Sequence, residues 1–271
     1  MKITFLGGGN MANALIGGLL KTGFAAEDIA VIELGAEARA RLEQAYRVRC
    51  YAAPDAVALN CDALLLSVKP QQMRAACLPL AAHLKQQLVI SIAAGLRLAD
   101  LSRWLGDHQK LVRAMPNTPA LIGAGVTGLY ALPAVSKAER IGAERILQAV
   151  GSTLWLEDEA QMDAVTAISG SGPAYAFLFI EALQQAAAQL GFTPEQGRQL
   201  SIDTALGAAR LAAQSDEPAS VLRERVTSKG GTTEAALLTM AERGVKEGLI
   251  AGILAAEARG RALGEILGKD E

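Results

Sequence analysis

The chain has 271 residues, enough for one large or two modest domains, and its 51% hydrophobic but only 4% aromatic content means an interior built mainly from Ala, Leu, Val and Ile. A net charge of −2 excludes an extended basic surface for nucleic acid or anionic lipid. Cys50, Cys61 and Cys77 are odd in number and lack CxxC spacing, which excludes a disulfide or structural zinc framework and fits a reducing compartment.

Lys2 before an apolar stretch superficially mimics a leader peptide, but GGGN at 7–10 interrupts it, and no run reaches the length of a spanning helix. The expectation is a cytoplasmic protein without a membrane segment. In chain order, 2–6 (KITFL) reads as a strand, followed by glycines and a helical pattern to about Lys21. A second strand at 29–33 (IAVIE) precedes a polar-faced helix at 36–46. Apolar runs at 63–68, 87–92 and 110–115 continue the strands, with helical stretches between them. Strands at 125–130 and 152–156 flank a helix at 136–149. Such alternation predicts an α/β fold with a parallel sheet covered on both faces.

After about residue 158 the strand signal stops, and 174–190, 195–214, 219–227 and 232–267 all read as helix. The expected domains are therefore 1–158 and 159–271. Segment 174–190 carries Phe177, Phe179, Leu183, Ala187 and Leu190 on more than one face. A short helical domain offers little interior for such a helix, so a subunit interface is expected to cover it.

GGGNMA at 7–12 places Gly7, Gly9 and Ala12 in a G-x-G-x-x-A pattern between a strand and a helix, the context of a Rossmann-like dinucleotide site. Gly7 permits the tight turn, Gly9 lets the backbone approach a pyrophosphate, and Ala12 allows close helix–strand packing. Asn10 and Met11 open the helix whose N-terminus faces the phosphates. Glu33 ends the second strand, where an acid commonly binds the ribose hydroxyls of NAD and repels the extra phosphate of NADP. It reads equally as a solvated carboxylate, and Arg39 and Arg41 follow in the next helix, so NADH and NADPH both stay open. The turns SVKP (Ser67, Val68, Lys69, Pro70) and AAG (Ala93, Ala94, Gly95) also end strands and are candidate cofactor contacts. Asn117, in the rigid MPNTP turn, either sits beside a nicotinamide or belongs to a stiff interdomain connection.

SKGGTTEAAL at 228–237 reads either as a loop with a Thr cap or as a bare helix start whose N–H groups grip an anion. The only histidines, His83 and His108, lie in polar stretches near helix ends and read as surface residues, so a carbonyl reduction would lack its proton donor. A cyclic imine that is already protonated needs none.

FLGGGNMA, VKPQQM, SIAAG, RAMPNTPALIGAG, ISGSGPAYAFLFIEAL and VTSKGGTTEAAL, which span essentially the whole chain, resemble the motifs of the pyrroline-5-carboxylate reductase family. The resemblance implies an N-terminal Rossmann-like domain and an all-helical C-terminal dimerisation domain. It implies reduction of 1-pyrroline-5-carboxylate to L-proline, the last step of proline synthesis, with NADPH or NADH, by a homodimer or a decamer of five dimers. By position, Gly7 to Ala12 and Ser67 to Pro70 would hold the cofactor. Ser169, Gly170 and Ser171, in a loop at 169–175, would enclose substrate together with Gly230, Gly231, Thr232 and Thr233 from the partner subunit. Thr233 matches the threonine that hydrogen-bonds the ring nitrogen, the bare helix start would take the carboxylate, and Glu159 and Asp216 align with acidic positions lining the site.

Lys229 stands where the family usually has Pro, and Glu33 stands where NADPH-preferring members often carry a small hydroxylated residue. A β-hydroxyacid dehydrogenase-type oxidoreductase shares the layout but uses a lysine on the helix after its glycine loop, and no Lys occurs from 138 to 228. A non-enzymatic nucleotide sensor would leave SGSGPAY and SKGGTT without a purpose.

Overall fold

The structure is a computed structural model that describes residues 1–269; residues 270 and 271 of the expected second domain lie outside the described residues. The chain alternates through β1 (Ile3–Leu6), α1 (Asn10–Lys21), β2 (Ile29–Ile32), α2 (Ala36–Tyr46), β3 (Arg49–Tyr51), β4 (Ala63–Leu66), α3 (Pro70–Cys77), β5 (Leu88–Ser91), α4 (Leu98–Trp104) and β6 (Leu111–Met115). It continues through β7 (Gly125–Ala131), α5 (Lys137–Gln148) and β8 (Gly151–Trp155). Helices α6 (Gln161–Val165), α7 (Gly172–Gln189), α8 (Pro194–Ala213), α9 (Ala219–Arg225), α10 (Thr232–Glu242) and α11 (Val245–Leu267) follow.

Among the described residues one eight-stranded sheet forms, in the order β3-β2-β1-β4-β5-β6-β7-β8. The first six strands are parallel, as expected, whereas β7 runs antiparallel to β6 with Val112 opposite Ala131, and β8 runs parallel to β7. The cause is the connection 116–124, which holds only a 3₁₀ turn (Thr118–Ile122) and is shorter than the roughly dozen residues a parallel crossover needs. Strand β3, only three residues (Arg49, Cys50 and Tyr51) on the sheet edge, is too short to show a readable alternation in the sequence.

Alternating strand residues feed two cores. Ile3, Phe5, Ala63, Leu65, Leu88 and Ile90 pack with α1 and α5 on one face. Leu6, Leu64, Leu66 and Val89 pack with Met73, Cys77, Leu101 and Trp104 on the other. Because both faces are covered, the central strands are apolar at nearly every position.

The described residues divide into two compact units, one of Met1–Ser171 with the chain from Ala256 onward, the other Gly172–Ala255. This division falls beyond the expected 158/159 boundary because α6 and the turn after it dock on the sheet: a Cβ on Gly128 would lie 2.8 Å from Val165 Cγ1. The end of α11 belongs there too, since a Cβ on Gly264 would lie 2.7 Å from the Gly95 carbonyl oxygen. The expected single helix 232–267 is two helices, broken at Gly244, whose φ of +64° leaves the right-handed helical region. In the second unit α7 packs on α8 with Ala187 against Gly197, while Phe177 (64% exposed), Leu178, Phe179 and Leu190 (77%) stay open.

Gly18 lets α1 pass close over the α5–β8 connection, since a Cβ there would lie 2.4 Å from the Ala149 carbonyl oxygen. Gly18→Ala is expected to destabilise the protein by about 1–3 kcal/mol although Ala is the better helix former. Gly17→Ala, whose Cβ would meet only Tyr46 Cε1 at 3.7 Å, is expected to be neutral or stabilising, and urea midpoints of the two variants check the contrast.

Candidate active site

The carboxyl ends of the adjacent strands β2, β1, β4 and β5 bring Glu33, Gly7, Ser67 and Ala93 to one edge of the sheet. Gly7 turns the chain there with φ +98°, and a Cβ on it would lie 2.9 Å from Val68 Cγ1. The Ser67 hydroxyl donates to the carbonyls of Leu6 and Gly7 at 2.9 and 2.8 Å. Asn13 Nδ2 donates to the carbonyls of Gly8 and Gly9 at 2.8 and 2.9 Å, which engages the acceptors of the loop within the protein. Gly9 starts α1 with no side-chain cap and no acid in the first turn, so the N-terminal N–H groups at Asn10 and Met11 face an anion-favouring field. A Cβ on Gly9 would meet no protein atom within 4 Å, so packing does not demand this glycine. It leaves room for a ligand to approach the backbone. Ala12 is fully buried, in agreement with its packing role.

The remaining strand-end residues divide. Ser67 and Val68 are half-buried at the loop, Lys69 is exposed as the residue preceding α3, and Pro70 occupies the first turn of that helix. Ala93 is 5% exposed and packs in the core, whereas Ala94 is half-buried. Glu33 turns its carboxylate inward, with Oε2 accepting the Gly8 N–H at 3.0 Å and Oε1 the Gly35 N–H at 2.9 Å.

Asn117 is 8% exposed, and both ends of its amide are engaged. Nδ2 donates to the Ser169 carbonyl at 3.1 Å, and Oδ1 accepts the Val126 N–H at 3.0 Å. The MPNTP turn is thereby tied to the segment that carries Ser169, Gly170 and Ser171. That segment is not the expected loop: Thr166–Gly170 form a π-helical turn, closed by the Ser171 N–H on the Thr166 carbonyl at 2.8 Å, and α7 follows directly. The Ser169 hydroxyl donates to the Val165 carbonyl at 3.0 Å, and a Cβ on Gly170 would lie 2.6 Å from Met115 Cε.

Glu159 is engaged with the scaffold through one carboxylate oxygen. Its Oε1 accepts the Leu98 N–H at the start of α4 at 2.8 Å and Arg113 Nη1 at 3.1 Å. Arg113, 3% exposed on β6, also reaches Asp163 with Nη2 at 3.3 Å. These groups border a cavity of about 310 Å³ together with Arg97, Glu257 and Arg261. The triad was not read from the sequence, although an arginine inside the apolar run KLVRAM is the signal that could have revealed it, because such a cation must be paired.

In the unit Gly172–Ala255, Gly231 begins α10 with no side-chain cap, and Thr232 and Thr233 are its first residues. Thr233 is half-buried and Lys229 exposed. The expectation that both glycines leave N–H groups free is corrected: Gly230 N–H donates to Glu234 Oε2 at 2.6 Å and Gly231 N–H to the Ser228 carbonyl at 3.0 Å. The open donors are those of the first turn of α10 itself. His83 and His108 are half-buried rather than surface residues, and His108 Nε2 lies 2.8 Å from the Gln87 carbonyl with its pKa lowered by burial. Burial pushes the thiols of Cys50 and Cys77 up to about 11 and about 12, so neither is a ready nucleophile.

Residues 159–263 match the family described as pyrroline-5-carboxylate reductase dimerisation, and residues 2–95 match that described as NADP oxidoreductase, coenzyme F420-dependent. The chain is 46% identical over 269 residues to pyrroline-5-carboxylate reductase of Pseudomonas aeruginosa, covering 99% of this chain and 98% of that one. A solved pyrroline-5-carboxylate reductase of Coxiella burnetii superposes with a TM-score of 0.90 at 41% identity, over 97% of this chain and 98% of that one. The Plasmodium falciparum pyrroline carboxylate reductase, solved with NADP bound, gives 0.88 at 28% identity over the same shares.

Arg113→Met would leave two carboxylates without their cation. The expected loss is about 3 kcal/mol, the low end of the range for breaking a buried pair, because the Glu159 side chain is 23% exposed. Adding Glu159→Gln and Asp163→Asn to that variant removes the uncompensated charge and is expected to restore most of the loss, as read by urea unfolding.

Proposed function

The chain belongs to the pyrroline-5-carboxylate reductase family, and from that premise we propose how its residues share the NADPH-dependent reduction of 1-pyrroline-5-carboxylate to L-proline. The open space over Gly9, the uncapped start of α1 and the carbonyls engaged by Asn13 and Ser67 fit a dinucleotide pyrophosphate. Gly7 to Ala12 and Ser67 to Pro70 would hold it, with Ala94 beside the next strand end. When bound, the reduced nicotinamide supplies the hydride that adds to the C=N carbon.

The observation that carries the substrate roles is the start of α10, where an uncapped first turn coincides with two successive threonines. Its N–H groups bind the substrate carboxylate, and the Thr233 hydroxyl faces the ring nitrogen. A protonated imine needs no general acid, which agrees with histidines that lie away from both glycine motifs in the sequence. As the electron pair of the C=N bond moves onto nitrogen, that atom becomes an acceptor, so the Thr233 hydroxyl donates to it only as the transition state forms. Ser169, Gly170 and Ser171 shape the substrate side of the first unit through their backbone, the Ser169 hydroxyl being engaged with Val165. Helix α7 carries no lysine to act as the proton donor of a β-hydroxyacid dehydrogenase.

Association supports the same reading. The family match over 159–263 is a dimerisation domain, and the apolar residues of α7, α10 and α11 left open in one chain are the surface a second copy would cover. We extend this to a decamer of five dimers in which the partner subunit supplies the α10 start. We place the enzyme in the cytoplasm, with neither a nucleic acid nor a membrane as partner. The net charge of −2 supports the absence of a nucleic-acid partner; among the described residues no helix is long and apolar enough to cross a membrane.

Steady-state turnover of 1-pyrroline-5-carboxylate with NADPH and with NADH tests the activity. Thr233→Val is expected to lower kcat/KM by about 10- to 100-fold while NADP⁺ affinity is retained, the scale of one hydrogen bond to a charged partner. Parent-like turnover would reduce Thr233 to a helix-start residue. Sedimentation velocity should show a dimer or larger at micromolar concentration, and an active monomer would remove the shared site.

A further inference from the structure

Glu33 stands at the end of β2, where an acid usually takes the ribose hydroxyls of NAD and repels the 2′-phosphate of NADP. An NADPH-dependent enzyme with a glutamate here needs a physical reconciliation, and the side-chain geometry supplies one. Both carboxylate oxygens are engaged inside the protein, by the N–H groups of Gly8 and Gly35 at 3.0 and 2.9 Å. The carboxylate thus bridges the β1–α1 loop and the β2–α2 turn, and these donors offset part of its charge.

Arg39 occupies the same corner. Its Nη1 donates to the carbonyls of Glu33 and Leu34, each at 2.8 Å, which holds the guanidinium against the end of β2 while its stem rises from the first turns of α2. An arginine fork has five donors, and these two bonds use one nitrogen only, leaving the Nε and Nη2 edge for a ligand. Beside it Gly35 begins α2 with no side-chain cap. Arg41, two positions on, projects from a different face of the helix and is exposed.

We infer that Arg39 sets the preference for NADPH in this chain by presenting its free guanidinium edge to the 2′-phosphate, and that Glu33 shapes the loop without facing the ribose. This rests on the NADPH-dependent reading above and adds the residue that discriminates between the two dinucleotides. The corner is prepaid, because Arg39 is held by backbone carbonyls before any ligand arrives and loses little freedom on binding.

Equilibrium binding of NADP⁺ and of NAD⁺ to the full-length protein, followed by calorimetry, tests the inference without turnover. Arg39→Met is expected to raise the NADP⁺ Kd about 10- to 100-fold while the NAD⁺ Kd moves less than about twofold. Arg39→Gln, which keeps a donor for the Glu33 and Leu34 carbonyls, serves the same reading if the Met variant unfolds. Arg41→Met should leave both affinities unchanged, and Glu33→Gln should leave their ratio unchanged. An Arg39 variant that weakens both dinucleotides equally would overturn the inference. So would a Glu33→Gln variant that shifts the ratio tenfold toward NADP⁺, or an Arg41→Met variant that loses NADP⁺ affinity as Arg39→Met does. Failure of the parent protein to bind either dinucleotide would overturn the reductase reading itself.

Discussion

Strand β6 carries Arg113 into the interior in the middle of an apolar run, and a guanidinium at 3% exposure must be neutralised where it lies. Both neutralising groups, Glu159 and Asp163, come from the segment that leaves the last strand, so pairing the charge also docks that segment on the sheet. Glu159 has a second duty, since the oxygen that meets Arg113 also accepts the Leu98 N–H at the start of α4. Asn117 extends the tie by holding the Ser169 carbonyl and the Val126 N–H at once. A buried pair of this kind adds little net stability compared with an apolar equivalent. Its effect is positional. It decides where the π-helical turn with Ser169 to Ser171 sits relative to the carboxyl ends of the strands, which is where a dinucleotide binds in this class of sheet.

The dinucleotide edge follows a complementary rule, that backbone groups not meant for a ligand find partners inside the protein. Asn13 and Ser67 take the carbonyls of the first loop, and Glu33 takes the N–H groups of Gly8 and Gly35. The uncapped donors are those of the α1 first turn, above a glycine whose missing Cβ no protein atom requires. The open donors and the empty volume coincide, and that coincidence is the arrangement that fits a phosphate.

The helical unit answers a different constraint. Between Gly172 and Ala255 only Ala187, Gly197 and Ser201 are buried, while Phe177, Leu178, Phe179 and Leu190 stay open. A helix that is apolar on more than one face cannot satisfy both by packing on α8. The interior that this unit lacks is the one a second chain supplies, which ties the family's dimerisation match to the amino-acid pattern.

Periodicity, glycine placement and cysteine spacing depend on neighbours in the chain, and what they govern was legible in the sequence. That covers the alternation of strands and helices, the G-x-G-x-x-A turn at Gly7 to Ala12, a helix start at Thr232 and Thr233, and the surplus of apolar surface on α7. Side-chain partners depend on which loops and strand ends meet, and no local signal encodes that. The sequence left Glu33 equally a ribose ligand or a solvated acid, and only the meeting of the β1 and β2 ends turned it onto Gly8. Glu159 aligned with an acidic position of the site, and the fold set it against Arg113. Gly230 is a local exception, since the Glu234 carboxylate that takes its N–H lies only four residues along the chain. The reversal of β7 came from a connection too short to cross over, a limit imposed by three-dimensional reach rather than by residue preference.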